Sequence, residues 1–349
     1  MTQVQLKQIA KSYSGTIALS ECDLSIQSGE LVALLGPSGC GKTTTLRMIA
    51  GLETPTSGQI LFDGKEVSDV AVQSRNVGLV FQRYALFPHM TVEKNIAFGL
   101  KVRGQTAAQI TEAVDEMLDV VQLSAFRDRF PAQLSGGQMQ RVAIARTLIT
   151  EPDVLMMDEP LANLDTKLRG EMRRFIRQLQ RRLGITTIFV THDQVEAMEL
   201  ADRVAVMAEG KILQFDPPDI LYQRPNTPAV AEFMGATNLF PATLKRDGVA
   251  ESALGTLHCD PTAADIEGQG HILLRAEAFD LHLTPPADSE NTFTAKILTR
   301  EYFGAATRYT LLCNDVQLTV QEHSRRRIEE GTLAYLTIKP EHIWVLQKS

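Results

Sequence analysis

Gly36-Pro37-Ser38-Gly39-Cys40-Gly41-Lys42-Thr43 fits the pattern Gly-x4-Gly-Lys-Ser/Thr, a loop whose backbone cradles phosphate. The chemistry on offer is anion binding. Glycines let the chain turn tightly and bring N–H groups close to an oxyanion. A helix starting just after the loop adds the positive end of its dipole. Lys42 is then placed to reach the β- and γ-phosphates of a nucleoside triphosphate, and the Thr43 hydroxyl to ligate Mg²⁺. A Gly-rich turn with an ordinary lysine would match by chance in about one chain in a hundred of this length. The flanks lower that further. Leu31 to Leu35 is a short apolar run, the pattern of a buried parallel strand, and Leu46, Ile49 and Ala50 follow at helical spacing.

A second group of candidates is acidic. Val154-Leu155-Met156-Met157 runs into Asp158-Glu159-Pro160. Asp158 at such a strand end would hold Mg²⁺ through water, and Glu159 would polarise the attacking water. An acidic pair after an apolar strand means little alone; with the phosphate loop upstream the catalytic reading is preferred. Ile188-Phe189-Val190-Thr191 is a further buried-strand run ending at His192; an isolated histidine is more often structural, and the functional reading at the strand end of a phosphate-loop protein is a contact to the γ-phosphate. Val77-Gly78-Leu79-Val80-Phe81 ends at Gln82, whose plainer reading is a surface glutamine. Tyr13 lies in the polar loop Lys11 to Gly15; a half-buried surface tyrosine is the plainer reading, an aromatic face for adenine the functional one.

Leu134-Ser135-Gly136-Gly137-Gln138 opens a helix with Val142, Ala145 and Ile149 on one side. Ser135 and Gln138 fit a capping box. The two glycines cost about 1 kcal/mol each relative to Ala, which makes sense if something must approach this backbone closely. A helix N-terminus stripped of side chains is a second seat for phosphate.

These candidates need elements to hold them. Residues 3 to 30 read as β-structure, and Ile60 to Lys65 as a hairpin turning at Asp63-Gly64. Thr106 and Gln109 start a capped helix with Ile110, Val114, Met117, Leu118 and Val121 on one face. Tyr84-Ala85-Leu86-Phe87-Pro88-His89-Met90 is apolar but ends in proline, so it is either covered by a subdomain or a contact surface for a partner. Ala162 to Asp165 turns into a helix reaching Gly184, with an apolar face and with Lys167, Arg169, Arg173, Arg174, Arg177, Arg181 and Arg182, charges that a solvated face explains. Val204 to Leu213 is a closing hairpin. Beyond about Gly235 short β-like runs alternate with turns, as in a small all-β domain of OB or barrel type. There Arg275-Ala276-Glu277 and Lys339-Pro340-Glu341 each follow an apolar strand, a weak internal duplication.

Bulk properties narrow the classes. A chain of 349 residues exceeds one ordinary core. Its 42 acidic and 35 basic residues give a net charge of −7, which argues against a nucleic-acid partner. The four cysteines are too scattered for a metal or disulfide framework. No run reaches membrane-spanning length, and the N-terminus lacks a signal-peptide pattern.

The order of phosphate loop, Gln82, Leu134 to Gln138, Asp158-Glu159, Ala162 to Asp165 and His192 resembles an ATP-binding-cassette (ABC) ATPase over residues 1 to about 235. The tail, through Phe240-Pro241, Tyr302-Phe303-Gly304 and Lys339-Pro340-Glu341, is similar to the TOBE-type regulatory domain of binding-protein-dependent importer ATPases. Met139, Ala162 and Arg275-Ala276-Glu277 depart from the family's usual residues. The resemblance implies an α/β P-loop NTPase cassette (1–235) with antiparallel β and helical (about 84–152) subdomains, then an all-β OB- or barrel-like domain (236–349). It implies ATP and Mg²⁺ as ligands. Gly36, Ser38, Gly39, Cys40, Gly41, Lys42, Thr43 and Thr44 would hold the nucleotide. Tyr13 would stack on adenine. Ser135, Gly136, Gly137, Gln138 and Asp165 would complete the site from a second copy. Thr43, Gln82 and Asp158 would serve the metal, while Glu159, His192 and Gln82 serve catalysis. The implied partners are a homodimer mate, two membrane-spanning permease subunits and, indirectly, a periplasmic or lipoprotein solute-binding protein. The implied place is the cytoplasmic face of the bacterial inner membrane. Polyamine, ferric-iron, phosphonate and sulfate importers are nearest, sugar importers next. Two alternatives stand beside this. A soluble ABC ATPase with a mechanical role should carry tandem cassettes or an inserted coiled coil. A P-loop kinase should lack the Leu134 to Gln138 helix start. Cys40 lies inside the loop, so alkylation should block ATP binding and ATP should protect.

Overall fold

The computed structural model describes residues 2–260, 266–287, 290–323 and 326–347; Met1, which opens the N-terminal stretch read above, lies outside them. The chain divides into two compact units, Met1–Pro218 and Asp219–Ser349.

The first unit holds two sheets. Strands β1 (Val4–Tyr13), β2 (Thr16–Ile26), β4 (Ser57–Phe62) and β5 (Lys65–Glu66) form an antiparallel sheet in the order β2-β1-β4-β5. The second sheet takes β3 (Leu31–Leu35), β6 (Val77–Val80), β7 (Val154–Asp158), β8 (Thr186–Thr191), β9 (Arg203–Ala208) and β10 (Lys211–Asp216) in the order β10-β9-β3-β8-β7-β6. All its pairs are parallel except β9 with β10. Every residue of β3 and β8 is buried, as expected of parallel strands covered on both faces. Helix α1 (Lys42–Ala50) shares a core with both sheets, through Leu46 and Ile49 against Ile9, Ile26, Leu34 and Met156.

Three helices make the inserted helical region: α2 (Val92–Val102), α3 (Ala107–Val120) and α4 (Gly136–Leu148). Both halves of the expected Thr106–Gln109 capping box form, and Val114, Leu118 and Val121 are buried. The preceding Tyr84 to Met90 segment is no strand. Tyr84 and Ala85 both take positive φ, 57° and 51°, which costs free energy for residues with a Cβ. Arg146 of α4 offsets this by donating to the carbonyls of Ala85 (2.7 Å) and Tyr84 (3.1 Å). Fully buried Asn95 of α2 closes the other end, accepting from Phe87 N (2.9 Å) and donating to Phe87 O (3.1 Å).

Helix α5 (Thr166–Leu183) corrects one expectation. Its arginines are not simply a solvated face. Arg169, Arg173 and Arg177, four residues apart and so stacked on one side, pair in turn with Asp193, Glu199 and Asp202. These acids lie on or beside α6 (Gln194–Leu200), the helix that follows His192. Arg174, Arg181 and Arg182 are exposed, as a solvated face requires.

The second unit starts earlier than the change in composition at Gly235. Residues between Asp219 and Gly235, which include most of α7 (Pro218–Gln223) and all of α8 (Pro228–Phe233), bond into it. Arg275 donates to the carbonyls of Tyr222 and Met234, and Trp344 Nε1 to Pro225 O at 3.0 Å. The rest is all-β, in two five-stranded sheets. One is built from β11 (Leu239–Lys245), β12 (Val249–Ser252), β13 (Gly255–His258), β14 (Gly268–Leu274) and β20 (Ile343–Gln347); the other from β15 (Asp280–His282), β16 (Thr292–Tyr302), β17 (Ala306–Cys313), β18 (Val316–His323) and β19 (Leu333–Thr337). A single core, including Leu244, Ile272, Tyr309 and Leu336, joins them. The weak duplication has a structural counterpart. The two similar tripeptides enter single 3₁₀ turns, Ala276–Ala278 and Pro340–His342, and each carries the chain from one sheet to the other. Within this second unit the strands flanking the two turns pair antiparallel, Leu274 with Ile343 and Asp280 with Thr337.

Candidate nucleotide-binding and hydrolysis site

Parallel pairing decides where the candidates meet. Leu35 lies in register with Thr191, Asp158 with Val190, and Val80 with Met157. The chain segments carrying Gly36, Gln82, Glu159 and His192 therefore all leave one edge of the sheet, at the carboxyl ends of its strands, where open α/β sheets bind ligands.

Lys42 is buried. Its ammonium donates to Gly36 O and Pro37 O, both at 2.8 Å, and lies 3.7 Å from Cys40 Sγ. The lysine thus braces the loop it belongs to, while Ser38 and Gly39 are exposed at its crest. Gly36 has no room for a side chain: a Cβ there would sit 2.1 Å from Met207 O and 2.8 Å from Cys40 Sγ. The Gly36→Ala variant should lose about 1–3 kcal/mol of stability, read as a drop in thermal midpoint; an unchanged midpoint would show that the loop relaxes freely. Cys40 is 3% exposed, so its expected alkylation must wait for the loop to open. Thiol titration should find Cys40 slow under native conditions and fast in denaturant; rapid native labelling would contradict this packing.

Thr43 Oγ1 donates to Asp158 Oδ1 at 3.2 Å, joining the phosphate loop to the end of β7. Burial pushes the Asp158 carboxyl above its usual range, against the lowering effect of the Thr43 hydrogen bond. Glu159 takes φ of 42°, a strained value for a residue with a Cβ, and its N–H bonds Val190 O at 3.1 Å. Its carboxylate is held on both sides. Gln82 Nε2 donates to Oε2 at 2.8 Å, and His192 Nδ1 lies 3.3 Å from Oε1. Asn163 Nδ2 donates to Gln82 O at 2.8 Å and so fixes the glutamine in turn.

Other expected residues stand apart. Ser135 and Gln138 form the capping box, with Gln138 N donating to Ser135 Oγ (3.3 Å) and Ser135 N to Gln138 Oε1 (2.9 Å). Close approach to the glycines is real, and within the chain it is made by leucines: a Cβ on Gly137 would lie 2.7 Å from Leu168 Cδ1, and one on Gly136 3.0 Å from Leu164 Cδ2. Asp165 caps α5, accepting from Leu168 N at 3.0 Å. Tyr13, 42% exposed, has Lys11 Nζ 4.8 Å from its ring centre. Among the described residues, no hydrogen bond or ion pair joins Tyr13 or Ser135 to Gln138 with the Lys42 cluster.

Comparison with known proteins agrees with this edge. Residues 19–162 match the ABC transporter family model and residues 272–346 the TOBE domain model. The chain is 42% identical to the "Fe(3+) ions import ATP-binding protein FbpC" of Photobacterium profundum over 346 residues, covering 98% of this chain and 97% of the relative. This chain belongs to the ATP-hydrolysing subunits of ABC transporters. It is also 54% identical to "Sulfate/thiosulfate import ATP-binding protein CysA 1" of Agrobacterium fabrum over 250 residues, 70% of this chain and 72% of the relative. Among solved structures it resembles cbiO1 of Clostridium perfringens, part of the ABC transporter complex cbiONQ (TM-score 0.59, 34% identity, covering 62% of this chain and 88% of that one). It also resembles the dimeric ATP-binding cassette MJ0796 in a post-hydrolysis state bound to ADP and Pi (TM-score 0.55, 31% identity, 62% of this chain and 98% of that one).

Hydrogen bonds around this edge come from residues to which the sequence analysis gave no site role. Asn163 and Arg169, on either side of Asp165, reach Gln82 and Asp193. Arg146 and Asn95 shape the segment after Gln82. The partners of Asn163, Arg146 and Arg169 in Gln82, Ala85 and Asp193 are distant in sequence, which hid those three; Asn95 bonds Phe87 only eight residues away, but no local pattern marks it.

Proposed function

We propose that this ABC ATPase energises a solute importer, and that two copies close on two ATP molecules. The observation that carries the importer reading is the relative's match at 42% identity across both domains. The TOBE match in the tail supports it. Ferric iron is the favoured cargo class, because the relatives aligned over nearly the whole chain, from Photobacterium profundum and Vibrio cholerae, both carry that name. Two permease subunits and a solute-binding protein would select the ion. The half-buried Leu86 and Phe87 with exposed Ala85 offer the permease contact. No helix among the described residues is long and apolar enough to cross a membrane, which suits a peripheral subunit at the cytoplasmic face. The sequence offers no support for a nucleic-acid partner. Neither alternative gains an observation: residues 19–162 hold the one cassette match.

In each site the Ser38 to Thr44 backbone and Lys42 hold the phosphates, and Tyr13 stacks on adenine. The Ser135 to Gln138 helix start and Asp165 of the second copy cover the γ-phosphate, which accounts for the separation of these groups within one chain. Thr43 Oγ1 and Asp158 Oδ1, 3.2 Å apart, are hard oxygen donors of the kind Mg²⁺ takes, with Gln82 adjoining through Glu159. When bound, the ion would neutralise charge on the β- and γ-oxygens. Glu159 takes a proton from the attacking water as its oxygen bonds to the γ-phosphorus, and the bond to the leaving ADP oxygen breaks. Gln82 and His192 keep the carboxylate aimed, and His192 steadies the γ-phosphate.

The test is to delete the gene and follow uptake of radiolabelled ferric iron and sulfate, while purifying the tagged chain from membranes. Loss of iron uptake with two co-purifying membrane proteins is expected. Recovery without membrane partners would reject the importer; loss of sulfate uptake alone would reject the cargo.

A further inference from the structure

We propose that Arg169 is a positioning residue for hydrolysis: it clamps the turn carrying His192 to the turn carrying Asp165, and so sets His192 against Glu159. This rests on the assignment of His192 made above.

Arg169 lies in the first turn of α5. It reaches two turns of the chain at once. Its Nη2 donates to Leu164 O (3.3 Å), and its Nη1 to Asp193 Oδ2 (3.4 Å). Arg169 Nε, itself buried and without a hydrogen bond, lies 3.7 Å from Glu196 Oε1. Guanidinium geometry suits this: donors fixed in one plane serve several acceptors without a change of rotamer.

What Arg169 holds is itself rigid and borders the histidine on both sides. Asp193 Oδ1 accepts from Val195 N (2.8 Å) and Glu196 N (3.2 Å), capping α6. Asp193 N donates to Thr191 Oγ1 (3.0 Å), and Thr191 Oγ1 donates to Glu196 Oε2 (2.6 Å). Glu196 is buried. So Thr191 and Asp193, the two neighbours of His192, sit in one closed network, and Arg169 ties that network to Leu164. His192 itself is 58% exposed, and its Glu159 contact is 3.3 Å. It has little packing of its own to hold it there. A cavity of about 50 Å³ adjoins it, lined by Glu159, Ala162, Arg169, His192 and Asp193 among others.

The other rungs of the α5 ladder distinguish this from general stability. Arg173 makes a comparable pair with Glu199, at 2.6 Å, one turn further from His192. If the ladder merely holds α6 in place, both arginines matter alike. If Arg169 acts through His192, only Arg169 affects turnover.

The experiment is steady-state ATPase kinetics on the full chain, with thermal midpoints recorded for every variant. Arg169→Ala should lower kcat about tenfold or more, the scale of sub-ångström misplacement of a catalytic group, with KM for ATP within about twofold. Arg173→Ala should keep the kcat of the parent. The Arg169→Ala/His192→Ala double variant should be no slower than His192→Ala alone, because the clamp has nothing left to position. Asp193→Asn, which keeps the cap oxygen but removes the ion pair, should reproduce the Arg169→Ala loss and its non-additivity. It decides the matter if Arg169→Ala does not fold. A kcat near that of the parent for both clamp variants, an equal loss in Arg173→Ala, or losses that multiply with His192→Ala would each overturn the proposal. If His192→Ala kept full turnover, the assignment of His192 would fall and the clamp with it; loss there without loss in the clamp variants would sink the clamp alone.

Discussion

Glu159→Gln should hydrolyse ATP about 10³-fold more slowly, a barrier increase of about 4 kcal/mol, as for loss of a general base, while still binding ATP. The amide is nearly isosteric. Its oxygen can still accept the hydrogen bond that Gln82 Nε2 now gives Glu159 Oε2 at 2.8 Å. The strained backbone at φ of 42° and the bond from Glu159 N to Val190 O are main-chain features and stay in place. What disappears is the ability to take the proton of the attacking water. Single-turnover kinetics with calorimetric ATP binding separate these effects. Retained turnover would remove Glu159 from the base role, and lost binding would show that its charge serves the nucleotide instead.

Lys42→Ala should weaken ATP binding at least tenfold and about a hundredfold at most, through loss of a charge-assisted contact to phosphate. Two causes act together. The phosphates lose their cation, and the carbonyls of Gly36 and Pro37 lose the donor that each now has at 2.8 Å. Lys42→Arg separates them, since it keeps charge but not the compact point donor. It should recover little affinity. Unchanged affinity by titration calorimetry in Lys42→Ala would show that the loop backbone alone holds the phosphates.

Much of this was legible because it is local. The phosphate loop, the acidic pair after β7 and the histidine after β8 each combine a strand end with a polar residue, and parallel register brings strand ends together automatically. The capping boxes at Thr106 and Ser135 are legible for the same reason. What escaped depends on distant partners. Periodicity puts Arg169, Arg173 and Arg177 on one side of α5 but cannot say that they pair directly with Asp193, Glu199 and Asp202, which follow in sequence beyond β8. The glycines of α4 signalled close approach without naming what approaches, and Leu164 and Leu168 account for part of it. Composition marks the change near Gly235, whereas hydrogen bonds from Arg275 and Trp344 draw in residues from Tyr222 onward.

The nucleotide should be trapped between the phosphate loop of one copy and the Ser135 to Gln138 helix start of another. Ser38 and Ser135 are exposed and the four native cysteines are buried, so a single pair of substitutions reports on it. In Glu159→Gln carrying Ser38→Cys and Ser135→Cys, oxidation with ATP present should link two chains into a covalent dimer, with far less linkage when nucleotide is absent. Chains that remain single under ATP, or that link equally well without it, would contradict the account.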